Sequence, residues 1–94
     1  MAILPGRRVY PPEPEEDLPH PLPPDLQRGD YWLDPTTGYW MCYGPKGSVG
    51  DLRNHEVTEN EDGTITVSPS ILIEHWDKAK CWHGYLEHGT WREI

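Results

Sequence analysis

The clearest pattern of hydrophobic and polar positions lies in the middle of the chain. Segments 55–59 and 64–67 alternate apolar and polar residues and are rich in β-branched side chains, which is typical of strands with one buried face. A three-residue loop over 61–63 would pair Val57 with Val67 and keep the apolar residues on one face, whereas a two-residue loop would not. The pattern therefore predicts a hairpin whose loop ends in a left-handed glycine.

Other short segments show the same strand character. Aromatic or apolar residues are concentrated at 31–33, 39–43, 71–73, 82–86 and 90–92. Turn residues over 34–38, and the pair His88 and Gly89, predict two further hairpins. Residues 74–80 are predicted as one helical turn or a loop. Because no segment has a helical apolar period, we predict an all-β fold, a small sheet or an open barrel of short antiparallel hairpins.

Residues 1–28 differ from the rest, because they hold eight of the eleven prolines and a run of acidic residues. Proline removes backbone donors and disfavours helix, so this segment is predicted as an extended arm with polyproline character. Disorder is the alternative, but apolar residues recur along the segment and favour an arm that docks on a partner or on the protein's own body. The sequence thus divides into a Pro-rich acidic arm, 1–28, and a small β domain, 29–94.

Length and charge narrow the classes of function. A chain of 94 residues allows one small domain. A net charge of −8 argues against the nucleic-acid backbone and against anionic membranes as direct partners. No apolar run approaches the length of a membrane helix or of a secretion signal. The expected location is a host cytoplasm or a virion assembled there.

The aromatic composition suggests either a tryptophan-rich core or a recognition surface. The chain has five Trp, five Tyr and no Phe. Trp and Tyr are enriched where proteins bind one another, because each combines a large apolar area with a polar group. Together with the apolar residues of the arm, they supply the candidate partner-binding residues Leu4, Tyr10, Leu18, Leu22, Trp32 and Trp40.

The cysteines and histidines offer a candidate metal site. Two cysteines are too few for a disulfide scaffold, and in a cytosolic protein they are free thiols or metal ligands. Cys81 and His83 are two residues apart and would point the same way on a strand. Zinc takes four ligands, so Cys42 and one further histidine would have to join them. We predict less than one zinc per chain, with Cys42, Cys81 and His83 as the candidate ligands.

Signatures of catalysis are weak. A cysteine, a histidine and one of the sixteen carboxylates can be combined into a nucleophilic site, but any acidic sequence permits that. Loop 44–48 lacks the residue order of a phosphate-binding loop. The protein is therefore predicted to have no catalytic residues and no cofactor.

Two segments together resemble a known family. Residues 62–71 read Asp-Gly-Thr-Ile-Thr-Val-Ser-Pro-Ser-Ile, and residues 81–91 follow with Cys81 and His83 at their start. Over residues 39–91 this combination resembles a family of small uncharacterised β domains of bacteria and tailed bacteriophages. In that family a Cys-rich knuckle in the earlier strand looks like part of a zinc site with the later Cys and His. Here the earlier strand offers Cys42 alone, and the arm has no counterpart.

The resemblance and the arm together predict a function in protein binding. The leading hypothesis is a non-enzymatic, bacteriophage-type module, a virion or assembly component or an accessory factor, which docks on another protein or on a second copy of itself. The alternatives are an acidic anti-host inhibitor of a nucleic-acid enzyme and a small zinc-binding module.

Overall fold

The computed structural model describes residues 3–94, which form nine strands in two sheets. The five-stranded sheet has the order β1-β9-β8-β7-β6 and contains β1 (Ile3–Pro5), β6 (Glu56–Glu59), β7 (Ile65–Ile73), β8 (Trp82–Glu87) and β9 (Thr90–Glu93). The four-stranded sheet has the order β2-β3-β4-β5 and contains β2 (Arg7–Arg8), β3 (Asp30–Leu33), β4 (Trp40–Tyr43) and β5 (Val49–Asp51). The all-β prediction is confirmed, and the sheets stay open instead of closing into a barrel.

Helical structure is almost absent from this part of the chain. A single 3-10 turn, Lys78–Lys80, lies in the segment that was predicted as one helical turn or a loop. Asp77 begins it, and its carboxylate accepts a hydrogen bond from the N–H of Ala79 at 3.1 Å. Within residues 3–94 no helix is long and apolar enough to cross a membrane.

The core lies between the two sheets and consists of side chains that alternate to their inner faces. The contributing residues are Tyr31, Trp40 and Cys42 from the four-stranded sheet, and Ile65, Val67, Ile71, Ile73, Trp82, Leu86 and Trp91 from the five-stranded sheet. The rings of Trp82 and Trp91 meet edge to face, with centroids 5.2 Å apart. The indole N–H of Trp91 donates to the carbonyl of Gly29 at 2.9 Å. Trp91 thus supplies area to the core with its polar group satisfied.

The central hairpin has the predicted register. Val57 pairs with Val67, and Glu59 pairs with Ile65. The loop between them ends at Gly63, whose φ of +87° is the left-handed conformation that glycine adopts without strain. The three-residue loop is therefore confirmed.

The other two predicted turns are also present. The N–H of Gly38 donates to the carbonyl of Asp34 at 2.9 Å in the turn between β3 and β4. His88 and Gly89 have φ values of 48° and 75° and join β8 to β9. Each turn lies where the local sequence placed it.

The N-terminal segment is packed against the rest of the chain. β1 pairs with β9, and β2 runs parallel to β3. Further along the segment, Pro21 is buried. It lines a cavity together with Trp32, whose side chain lies on the face of β3 that points away from the core. The guanidinium of Arg8 lies 4.9 Å from the ring centroid of Trp40. Division into an arm, 1–28, and a domain, 29–94, stays a prediction, but the first part contributes strands to both sheets.

Two buried carboxylates join this segment to β3 and its turn. Arg7 donates to both oxygens of Asp30, at 3.0 and 2.8 Å. Asp34 accepts hydrogen bonds from the hydroxyl of Thr37 at 2.7 Å and from Nδ1 of His20 at 3.0 Å. Burial acts to raise the pKa of Asp34, but these hydrogen bonds outweigh it, so the pKa is lowered.

Candidate active site

An irregularity in β7 places a serine on the outer face of the five-stranded sheet. Pairing with β8 joins Val67 to Leu86 and then Ile71 to Gly84, so residues 68–70 of β7 lie opposite a single residue. Bulges of this kind bend a strand and redirect its side chains, and they are frequent next to active sites. Since Ile71 points into the core, the preceding Ser70 points outward.

Ser70 meets a histidine of the neighbouring strand. Its Oγ lies 3.1 Å from Nε2 of His83. Leu72 pairs directly with His83, and paired residues present their side chains on the same face of a sheet. Ser70 lies two residues before Leu72 on β7, so its side chain is on that face too. In the tautomer that carries its proton on Nδ1, Nε2 accepts the hydrogen bond of the hydroxyl. This is the arrangement of a nucleophile and its general base.

A second histidine holds the main chain of the serine. Nε2 of His55 donates to the carbonyl of Ser70 at 3.1 Å. The N–H of His55 in turn donates to the carbonyl of the buried Leu52 at 2.9 Å. Nδ1 of His55 is buried and has no hydrogen-bond partner among residues 3–94. His55 therefore fixes the position of Ser70 from the side of β7 opposite to β8.

The surroundings of the imidazole are open and largely apolar. A cavity of about 250 Å³ beside it is lined by Leu72, Cys81 and Ile94, among others. In the described part of the chain, no carboxylate is hydrogen-bonded to Nδ1 of His83. The described residues thus form a Ser–His dyad, in which the apolar neighbours can contact a bound chain.

Of the three candidate zinc ligands, Cys81 and His83 line the same open cavity, whereas Cys42 lies apart from them. Cys42 is buried in the core, where burial raises the pKa of its thiol to about 12 and its S–H donates to the carbonyl of Gly50. The thiol of Cys81 lies 3.3 Å from both the N–H and the carbonyl oxygen of His75, and His83 bonds the serine. No three His, Cys, Asp or Glu residues among residues 3–94 are grouped to hold a metal ion. Less than one zinc per chain stays a prediction, which elemental analysis of the purified protein tests.

The six residues predicted to bind a partner fall into two groups. Tyr10, Leu18 and Leu22 are exposed, whereas Leu4 is packed against the core, and Trp32 and Trp40 are 1% and 8% exposed. The N-terminal segment and the core cover the two tryptophans, so neither ring is on the surface of this structure. Binding of a partner by these six residues stays a prediction, and the exposed Tyr10, Leu18 and Leu22 are the ones that a partner can reach without a change in the fold.

Sequence reasoning missed the pairing of Ser70 with His83. It treated the serine as part of a family pattern and the histidine as a candidate zinc ligand. The available signal was that Pro-Ser-Ile and Cys-x-His belong to one pattern, since a serine and a histidine in one pattern are candidates for nucleophile and base.

Comparison with protein families gives a match that fits this geometry. A family described as bacterial ubiquitination-like system serine protease (BubE) matches residues 20–94. Comparisons with curated proteins and with solved structures found no match.

The family match corrects the function predicted from the sequence. A non-enzymatic, bacteriophage-type module was expected in a host cytoplasm or a virion, and the family is instead a protease of a bacterial system. The predictions of no enzyme activity and of a virion protein are therefore wrong. The bacterial part of the resemblance is supported, and nothing in the match points to a bacteriophage. Because the match covers most of the chain and the structure pairs a serine with a histidine, this chain belongs to the BubE family of bacterial ubiquitination-like system serine proteases.

Proposed function

We propose that this protein is a serine protease of a bacterial ubiquitination-like system, in which Ser70 is the nucleophile and His83 the general base. The observation that carries the proposal is the contact of 3.1 Å between Oγ of Ser70 and Nε2 of His83. Both residues lie within the segment that matches the family, and its description names the chemistry that a serine and a histidine perform.

The reaction follows from this contact. Nε2 of His83 takes the hydroxyl proton as Oγ of Ser70 attacks the carbonyl carbon of the scissile amide. The protonated imidazole then gives that proton to the leaving amine, and an acyl ester remains on the serine. Water, deprotonated by the same imidazole, hydrolyses the ester and restores both side chains.

The exposure of the site favours a protein as the substrate. Ser70 is partly exposed and His83 is exposed, on a sheet face and not at the bottom of a deep cleft. An open face of this kind can receive a chain that belongs to a much larger molecule. We therefore propose that the scissile bond is a peptide or isopeptide bond in a protein of that system.

The test is labelling with a fluorophosphonate probe, which forms a covalent bond with activated serine hydroxyls. Mass spectrometry of the wild-type protein should place the probe on Ser70, and Ser70→Ala should abolish labelling. His83→Ala should slow it by about a hundredfold or more, since general-base catalysis is worth that much.

Matched controls come from the same chain. Ser68→Ala removes a neighbouring exposed hydroxyl, and His88→Asn replaces a histidine in a left-handed turn by a residue that tolerates that conformation. Both should label at the wild-type rate. Labelling of a serine other than Ser70, or an unchanged rate in the His83 variant, would refute the assignment.

A further inference from the structure

β7 is much longer than β6, the strand that pairs with it on the side away from β8. β6 has four residues and β7 has nine. Pairing between them ends where Glu56 meets Ser68. Within the described part of the chain, no strand continues this pairing beside residues 69–73, a stretch here named the open edge of β7.

The main chain of Leu72 points to this open edge. Leu72 pairs with His83, and the carbonyl of His83 accepts the N–H of Ile94, at 3.0 Å, on the side of β9. In an antiparallel ladder the N–H and C=O of one residue point to the same side. The main chains of Leu72 and His83 therefore make no hydrogen bonds to each other. The N–H and C=O of Leu72 point away from β8, toward the open edge.

Ser70 gives the same direction independently. Its carbonyl accepts a hydrogen bond from His55, which lies just before β6 in the chain. The direction of the main-chain N–H and C=O groups repeats every two residues along a strand. Those groups of Leu72 therefore point to the same side of β7 as those of Ser70. His55 occupies the carbonyl of Ser70, and Leu72 is the next residue with main-chain groups on that side.

The open groups are close to the reacting hydroxyl. Two residues along a strand span roughly 7 Å, so a chain that pairs with Leu72 passes within reach of Ser70. The side chain of Leu72 is 57% exposed, on the same outer face of β7 as Ser70. An added strand would place one of its alternate side chains beside this exposed leucine.

We infer that the open edge of β7 binds an extended segment of the substrate as an additional strand, through the N–H and C=O of Leu72. This inference rests on the proposed function and names its substrate class, an unfolded, extended peptide segment with an apolar side chain near the scissile bond. Main-chain pairing gives such a site affinity for many sequences, and contact with the exposed side chain of Leu72 selects among them.

The test uses a proteome-derived peptide library, with cleavage read as new peptide termini by mass spectrometry. Leu72→Pro removes the N–H, and Leu72→Thr keeps it while it changes the side chain. Proline is accepted where a strand N–H faces an open edge, and circular dichroism verifies the fold. Cleavage by L72P should be about fivefold slower than by L72T, which is the change in rate expected for the loss of one hydrogen bond. The rate at which the fluorophosphonate labels Ser70 is measured for each variant, and the cleavage rates are compared after division by it.

A second measurement leaves the protein unchanged. N-methylation at each position of the best-cleaved peptide should slow cleavage strongly at the position that pairs with Leu72 and weakly at its two neighbours, because alternate N–H groups face the edge. Equal cleavage by the two Leu72 variants, or an N-methyl scan without alternation, would overturn the inference. Labelling of Ser70 without cleavage of any peptide would also overturn it. Absence of labelling would instead refute the proposed function.

Discussion

Gly84 of β8 lies where the sheet has no room for a side chain, directly beside the catalytic candidate His83. A Cβ at this position would lie 2.5 Å from Cη2 of Trp82 and closer still to the carbonyl oxygen of Arg92. The oxygen belongs to the paired strand β9, and the indole is packed against Trp91. Neither group can move without shifting the strand or the core, so we expect Gly84→Ala to be strongly destabilising.

The size of the effect follows from overpacking. Inserting a methyl group into a well-packed site costs about 1–3 kcal/mol, and the upper value applies when the obstacle is main chain and a large ring. We therefore expect the free energy of unfolding to fall by about 3 kcal/mol in Gly84→Ala. For a chain of this size that corresponds to a decrease in Tm of about 12 °C or more.

Gly50→Ala is the matched control. Gly50 is also a strand glycine, and its nearest neighbour for an added Cβ is Sγ of Cys42 at 3.6 Å, an ordinary contact. Its free energy of unfolding should stay within about 1 kcal/mol of wild type, because the added methyl also restricts the unfolded chain. Urea unfolding followed by tryptophan fluorescence measures both variants. If Gly84→Ala is as stable as Gly50→Ala, the packing argument is wrong.

Three further predictions concern the site and two buried groups. His55→Ala should slow probe labelling of Ser70 by about fivefold, since one hydrogen bond contributes about 1 kcal/mol, and His55→Gln, which keeps an N–H donor, should recover part of the rate. At about pH 8, iodoacetamide should modify Cys81 and spare Cys42 until urea unfolds the chain, because burial raises the pKa of the Cys42 thiol to about 12. The pKa of Asp34 is lowered in the fold, so its ionised form stabilises the protein above the unfolded pKa of about 3.9, and this contribution is lost as the pH falls through the folded pKa. When the pH is lowered from about 6 to about 3, the free energy of unfolding should therefore fall less in Asp34→Asn than in the wild-type protein, as measured by urea titration.

Each of these predictions has a contrary result. Equal labelling rates for the two His55 variants would show that its N–H does not position the serine. Alkylation of Cys42 in the folded protein at the rate of Cys81 would contradict its burial. An acid sensitivity of Asp34→Asn equal to that of wild type would exclude Asp34 as a source of the pH dependence.

Local chemistry decided the turns, and the sequence was therefore sufficient for them. Asp62 with Gly63, and His88 with Gly89, favour left-handed conformations within a few adjacent residues. Once a turn length is set, the two-residue period of a strand allows one register that buries the apolar side chains, which is why Val57 was correctly paired with Val67. The all-β class followed from these same short-range signals.

The candidate active site depended on tertiary structure. Ser70 and His83 are 13 positions apart, on strands joined by a connection that carries no hairpin turn signal. Their contact requires the register of β7 against β8 and the three-residue irregularity before Ile71, both of which depend on how Ile71, Ile73 and Trp82 pack in the core. The burial of Trp32 beneath the N-terminal segment was likewise decided by packing across the fold. Turn preferences act between neighbouring residues and can be read from the sequence. Side chains that meet across a sheet are positioned by the packing of the whole core, and a single sequence does not show the combined effect of those contacts.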